Sequence, residues 1–211
     1  MNHTEFANKI LKRNRINVDI THRCPLECPK CQRFQNFKAL GVKVTGEDLS
    51  DTNFEKVINH FSHVNFCGQL SDPVHHPRFI EFLEKCYWNR TRVTIHHASA
   101  GKSMSWYKKA FKANEWAKWW FGIDGLPHQS STYRINQDGE KLYRVMLEAK
   151  KALVQKPTWQ YIVFKYNEHS IEEAAEMAKE AGVRFMLVHT SRWDGPGDNL
   201  RPEAADKRID R

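Results

Sequence analysis

Six short runs of β-favouring residues, each followed by a segment of helical period, constrain this 211-residue chain more than any other feature. Strands are expected over 16–20, 64–69, 91–99, 116–124, 158–167 and 183–189, where β-branched and aromatic residues cluster or alternate. Between them Phe54, Val57, Ile58 and Phe61 recur at helical spacing, after a cap at Asp51 or Thr52, with Glu55 completing a capping box on Thr52. Further helices are expected over 77–88, opened by Pro77, over 104–112, over 139–154, and over 171–181, closed by Gly182. Residues 1–15 read as a polar, basic lead-in. Residues 32–50, with Gly41, Gly46 and no clear period, read as loop with a short irregular piece. Strict strand–helix alternation implies an α/β fold with a parallel sheet, because each helix returns the chain to the edge it left. Right-handed crossovers curl such a sheet toward a barrel.

The length predicts one domain over 1–211 with a core over 16–193 and a polar, mobile tail over 201–211. No apolar run reaches the roughly 20 residues that span a bilayer, and the start lacks a signal-peptide core, so the expected location is cytoplasmic with no membrane contact. Five cysteines, three of them clustered, do not form a disulfide framework and suit a reducing compartment. Cys67 and Cys86 are expected to be buried thiols. The net charge of +8 favours acidic partners. The Lys and Arg residues are nevertheless dispersed, which suits a solvated basic surface and gives nucleic acid only weak support. The tryptophans, Trp119 and Trp120 among them, are expected as core and rim material.

Directly after the first strand stand Cys24, Cys28 and Cys31, with three residues in the first gap and two in the second. Three thiolates on one short loop can converge on a metal centre. Closed structural sites normally take four protein ligands, and a cubane iron–sulfur cluster four thiolates, so three leave one iron open for a substrate or cofactor. Pro25 and Pro29 restrict the backbone and remove amide donors, which suits a loop wrapped around a cluster. The same residues also permit a zinc knuckle completed by a histidine such as His22, in which case the chain is a non-catalytic adaptor module.

The cysteine spacing and its place after a first strand resemble the signature of the radical S-adenosylmethionine (SAM) superfamily, closest in motif style to its SPASM/twitch-type relatives. The resemblance implies a partial (βα)6 barrel and a [4Fe–4S] cluster on Cys24, Cys28 and Cys31. It further implies reductive cleavage of SAM to a 5′-deoxyadenosyl radical that takes a hydrogen atom from a peptide, protein or small metabolite, with a flavodoxin or ferredoxin as electron donor. It also admits a glycyl-radical activase working on a partner enzyme. The chain stops just after the sixth strand, without the cysteine-rich extension of many such relatives, so one cluster per chain is expected. The residue before the third cysteine is usually aromatic in the family and is here Lys30, which predicts weakened packing on adenine.

Parallel α/β barrels build their sites at the C-terminal ends of the strands. The family's glycine–glycine–glutamate turn, which holds the SAM amino group, corresponds to Cys67, Gly68 and Gln69, the glutamine keeping an acceptor but losing the charge. Ser99 stands where the family often has a hydroxyl contacting ribose or carboxylate. If it faces the site, His97 and Ile95 share its face; the alternative for His97 is a satisfied surface histidine. Asp124 follows Gly122, a departure from the family's hydroxyl that opens space, and precedes a loop with His128, Tyr133 and Arg134 that could cover the substrate; Asp124 could equally serve the turn at Gly125. Lys165 and Asn167 are expected on one face with Val163 and Tyr161, unless Asn167 only begins the turn before the Ser170 cap. On the sixth strand Val188 or Leu187 is expected to pack on adenine.

Overall fold

The computed structural model describes residues 14–41 and 47–203. The expectations for 1–13, for Gly46 and for the tail from 204 lie outside the described residues. Twelve principal elements follow in order: β1 (Ile16–Val18), α1 (Gln32–Leu40), α2 (Asp51–His60), β2 (His63–Phe66), α3 (Phe79–Trp88), β3 (Arg92–His97), α4 (Met104–Ala113), β4 (Lys118–Gly122), α5 (Gly139–Ala152), β5 (Thr158–Ile162), α6 (Ile171–Ala181) and β6 (Arg184–Val188).

The six strands form one sheet in sequential order, and every neighbouring pair is parallel. The sheet curls: the Lys30 ammonium, just after β1, is paired with Asp198, beyond β6, at 2.5 Å. The Glu27 amide likewise donates to the Ile135 carbonyl after β4, at 3.2 Å. Strands β1 and β6 do not pair with one another, so the result is a partial (βα)6 barrel.

Side chains alternate across each strand. One set, including Val64, Phe66, Val93, Ile95, Trp119, Phe121, Trp159 and Tyr161, packs against the helices in a continuous apolar core. Phe54 of α2 stacks on Phe82 of α3 with centroids 3.9 Å apart, and Trp119 meets Phe111 of α4 edge to face at 5.0 Å. The other set points into the barrel and is polar: Asn65 donates to Asn17 at 2.8 Å, and His63 lies 2.8 Å from the Thr94 hydroxyl. Among the described residues no helix is long and apolar enough to cross a membrane.

Several expectations are corrected. Residues 32–40 form a helix with no buried residue, so it carries no apolar stripe for the sequence to display; Gly41, at φ 67°, ends it. The cap of α2 is Ser50, whose hydroxyl accepts from the Asn53 amide, so the Thr52–Glu55 capping box does not form; Phe61 falls just past the helix. Strands β2 to β5 stop earlier than their apolar runs. Short 3₁₀ turns at Pro73–His75, Ser130–Thr132 and Glu168–Ser170 were not expected.

Candidate active site

The cysteine loop leaves β1 and lies across the C-terminal ends of the strands. Cys24, Cys28 and Cys31 line one cavity of about 140 Å³, and none is in a disulfide. Burial pushes the Cys24 thiol up to about 12, helped by the Asp72 charge. Burial pushes Cys28 to about 11, with the Arg134 charge opposing it. The bare Cys24 and Cys28 thiols are therefore protonated at neutral pH, and a metal must displace those protons to bind. Among the described residues no group of three or more His, Cys, Asp or Glu is arranged to hold a single ion. The three thiols share the wall of one cavity. His22 sits 4.0 Å from Asp48. Cys86 is buried in the core as expected, whereas Cys67 is only half-buried and lies on the cavity wall, its thiol 3.8 Å from Asp19.

Gly68 is on the wall with φ 59°; a Cβ there would sit 3.0 Å from the Ser71 carbonyl and 3.3 Å from that of His96, so the turn needs glycine. Gln69 offers the cavity its backbone, with its carbonyl 3.8 Å from Cys31 Sγ, while the residue itself is exposed. The carboxylate on the wall is Asp72, three residues further on, which the sequence reading missed. It accepts from the amides of Ala98 at 2.9 Å and Ser99 at 2.7 Å and is bonded to His97 Nδ1 at 3.0 Å. Burial opposes its charge, but His97 and the amides prevail and hold it down at about 2. An Asp-Pro pair opening the 73–75 turn was the available signal.

His97 is not a surface residue: it is buried among the helix-facing side chains, within 2.8 Å of the Tyr107 hydroxyl. Ser99 is fully buried behind the cavity, 2.7 Å from His75. From the strands, His96, His97, Trp120, Gly122 and Gln160 line the cavity, His97 with its ring turned to Asp72 and Tyr107. His96 Nδ1 lies 3.3 Å from Gln160 Oε1, and its ring packs on Trp120 at 4.7 Å. Burial depresses the His96 pKa, which keeps the ring neutral at physiological pH.

Asp124 is fully buried and does not line the cavity. It accepts from the Ile162 amide at 2.8 Å, joining the ends of β4 and β5, and pairs with Arg134 Nε at 2.8 Å. Arg134 is the cation on the wall. Gly122 does not leave open space: a Cβ there would lie 2.6 Å from Arg134 Nη2, so the missing side chain is where the guanidinium sits. Burial pushes the Asp124 carboxyl up while Arg134 draws it down; Asp124 raises Arg134 against its own burial. Tyr133 packs on Phe164 at 4.2 Å, and His128 is exposed.

Lys165 is exposed, and Asn167 is buried with its side chain closing the turn: Oδ1 accepts from Phe164 N at 2.7 Å and Nδ2 donates to Ile162 O at 3.0 Å. Because β5 ends at Ile162, these two residues do not share a strand face with Val163 and Tyr161. Val188 and Leu187 are at the end of β6, and neither lines the cavity. Lys30 is 9 % exposed and is bonded to Asp194 and Asp198, which raise its pKa against the penalty of burial. It points at the segment after β6 and fastens it across the cysteine loop, where Arg192 also reaches the Lys30 carbonyl at 3.5 Å.

No family model and no curated protein matches the sequence. Solved structures do match in fold. SuiB of Streptococcus suis bound to S-adenosylmethionine aligns with TM-score 0.67 at 12% identity, covering 95% of this chain and 46% of SuiB. A radical SAM methyltransferase from Sphaerobacter thermophilus aligns with TM-score 0.61 at 9% identity, covering 92% of this chain and 61% of its own. The protein anSMEcpe with bound AdoMet aligns with TM-score 0.60 at 14% identity, covering 83% and 52%. The chain thus spans about half the length of these proteins and has the partial-barrel fold of radical SAM enzymes.

Proposed function

We propose that the chain is a radical SAM enzyme, with Cys24, Cys28 and Cys31 as the ligands of one [4Fe–4S] cluster. The observation that carries this is the meeting of three loop thiols, one partly exposed cation and one buried carboxylate on a single cavity wall, at the strand ends of this fold. Bound there, the cluster and SAM supply reductive cleavage of the sulfonium to a radical that removes a hydrogen atom from substrate. The protein's part is to bind, orient and exclude water. Arg134, fixed by Asp124, presents a cation to the SAM carboxylate. Asp72, rather than Gln69, supplies the negative charge for the amino group, and Gly68 lets the backbone close on it. His96, Trp120 and Gln160 form a neutral, polar floor for a hydrogen-bonding substrate. The electron is assigned to a flavodoxin- or ferredoxin-type donor.

The test is anaerobic reconstitution, SAM and a strong reductant, with 5′-deoxyadenosine followed by chromatography. Wild type is expected to hold about four irons per chain and form product, and Cys28→Ala to form none. Zinc in place of iron and sulfide, or an intact cluster that never cleaves SAM, overturns the proposal.

A further inference from the structure

The opposite end of the barrel, where the strands begin, carries a second cavity that the reading above does not use. It encloses about 500 Å³. Its walls are Tyr87 and Trp88 at the end of α3, Arg90 and Arg92 leading into β3, and Trp116 before β4. Trp88 is 80 % exposed and Trp116 56 %. Tyr87 braces Trp88 edge to face, with centroids 5.3 Å apart and planes at 85°, so one indole is held out from the surface. Large aromatic side chains of a folded protein are normally covered, and two open indoles beside one cavity mark a binding surface.

The charge around these rings selects the ligand. Arg90 and Arg92 are exposed on the cavity wall, and Lys118 and Arg184 are exposed at the starts of β4 and β6. Glu115, beside Trp116, and Glu84, one helical turn before Trp88, are acidic neighbours and are outnumbered. His63, at the start of β2, registers the field: after burial, the charges of Arg15, Arg92 and Lys118 help depress its pKa. Arg90 also occupies a left-handed turn position, φ 55°, where glycine would be relaxed, so the turn sets a guanidinium on the rim of the cavity.

Open aromatic faces interleaved with fixed cations bind a base and its phosphate together, and only an unpaired strand has base faces free to stack. We infer that the Trp88–Trp116 cavity at the strand-start end of the barrel is a binding site for single-stranded nucleic acid. Stacking on the indoles holds the bases, and Arg90 and Arg92 hold the backbone. The inference stands independently of the chemistry at the other end of the barrel.

The test is fluorescence anisotropy of the purified full chain with labelled RNA and DNA homopolymers of roughly 12 nucleotides, between about 50 and 200 mM salt. Binding is expected to weaken with salt. Trp88→Ala and Trp116→Ala should each weaken it about 5- to 100-fold at fixed salt with the salt slope unchanged. Arg90→Gly keeps the left-handed turn and removes the guanidinium; with Arg92→Gln it should lower the slope by about 0.7 per charge. All four variants should cleave SAM as wild type does. No binding at low salt overturns the inference. So does equal binding by the tryptophan variants, or equal competition by inorganic polyphosphate, because either leaves a general basic surface without stacking.

Discussion

The two faces of the one sheet have been given different tasks. The face toward the helices carries Val64, Phe66, Ile95, Phe121 and Tyr161, all fully buried in one apolar cluster. The face into the barrel carries Asn17, Asn65, Thr94, His96 and Gln160, and the polar partners are largely one another. Because side chains alternate along a strand, neighbouring residues such as Ile95 and His96 can answer to different demands. The lesson is that stability and chemistry are separated here by a single position in sequence and by the thickness of a sheet in space.

The comparison breaks most visibly if stability is not concentrated on the outer face. Phe121→Ala should cost about 3–5 kcal/mol in urea unfolding, and Gln160→Ala on the inner face under about 1 kcal/mol. A reversed order would refute the division. Asp72 joins the two faces, since it lies on the cavity wall yet is bonded to His97 on the helix side. Asp72→Asn should therefore cost about 2 kcal/mol and also impair SAM cleavage, which no residue confined to one face should do.

A smaller effect concerns acid. His63, on the inner face, is held at about 4, by burial first and then by the charges of Arg15, Arg92 and Lys118. The unfolded state, titrating near 6.5, takes up the proton first, so stability should fall as pH drops from about 6.5 to about 4. His63→Gln should flatten the profile in that window. It should not abolish the slope, because His75, His76 and His96 are depressed by burial in the same direction. An unchanged profile would mean that His63 is solvated.

The order and type of the strands were legible because the alternation of apolar runs is long and repeated six times. The cysteine loop was legible because its spacing is local. What failed depended on where each strand stops. A one-residue change of phase exchanges the faces, so a reading that followed Ser99 weighed His97 and overlooked His96, which lines the cavity beside it. A strand ending at Ile162 rather than Asn167 turns Lys165 outward and makes Asn167 a turn closure. Arg134 and Asp72 were hidden for a different reason, since a loop residue's target depends on tertiary closure that no local pattern encodes. The helix over 32–40 was hidden because, fully on the surface, it needs no apolar stripe.

The clasp between Lys30 and the acids beyond β6 bears on when the protein becomes complete during its synthesis. Lys30 of the cysteine loop leaves the ribosome 164 residues before Asp194, its clasp partner. At ordinary elongation rates that interval is on the order of ten seconds or more. The thiols are thus made first, and the segment beyond β6 that Lys30 fastens across their loop is made last.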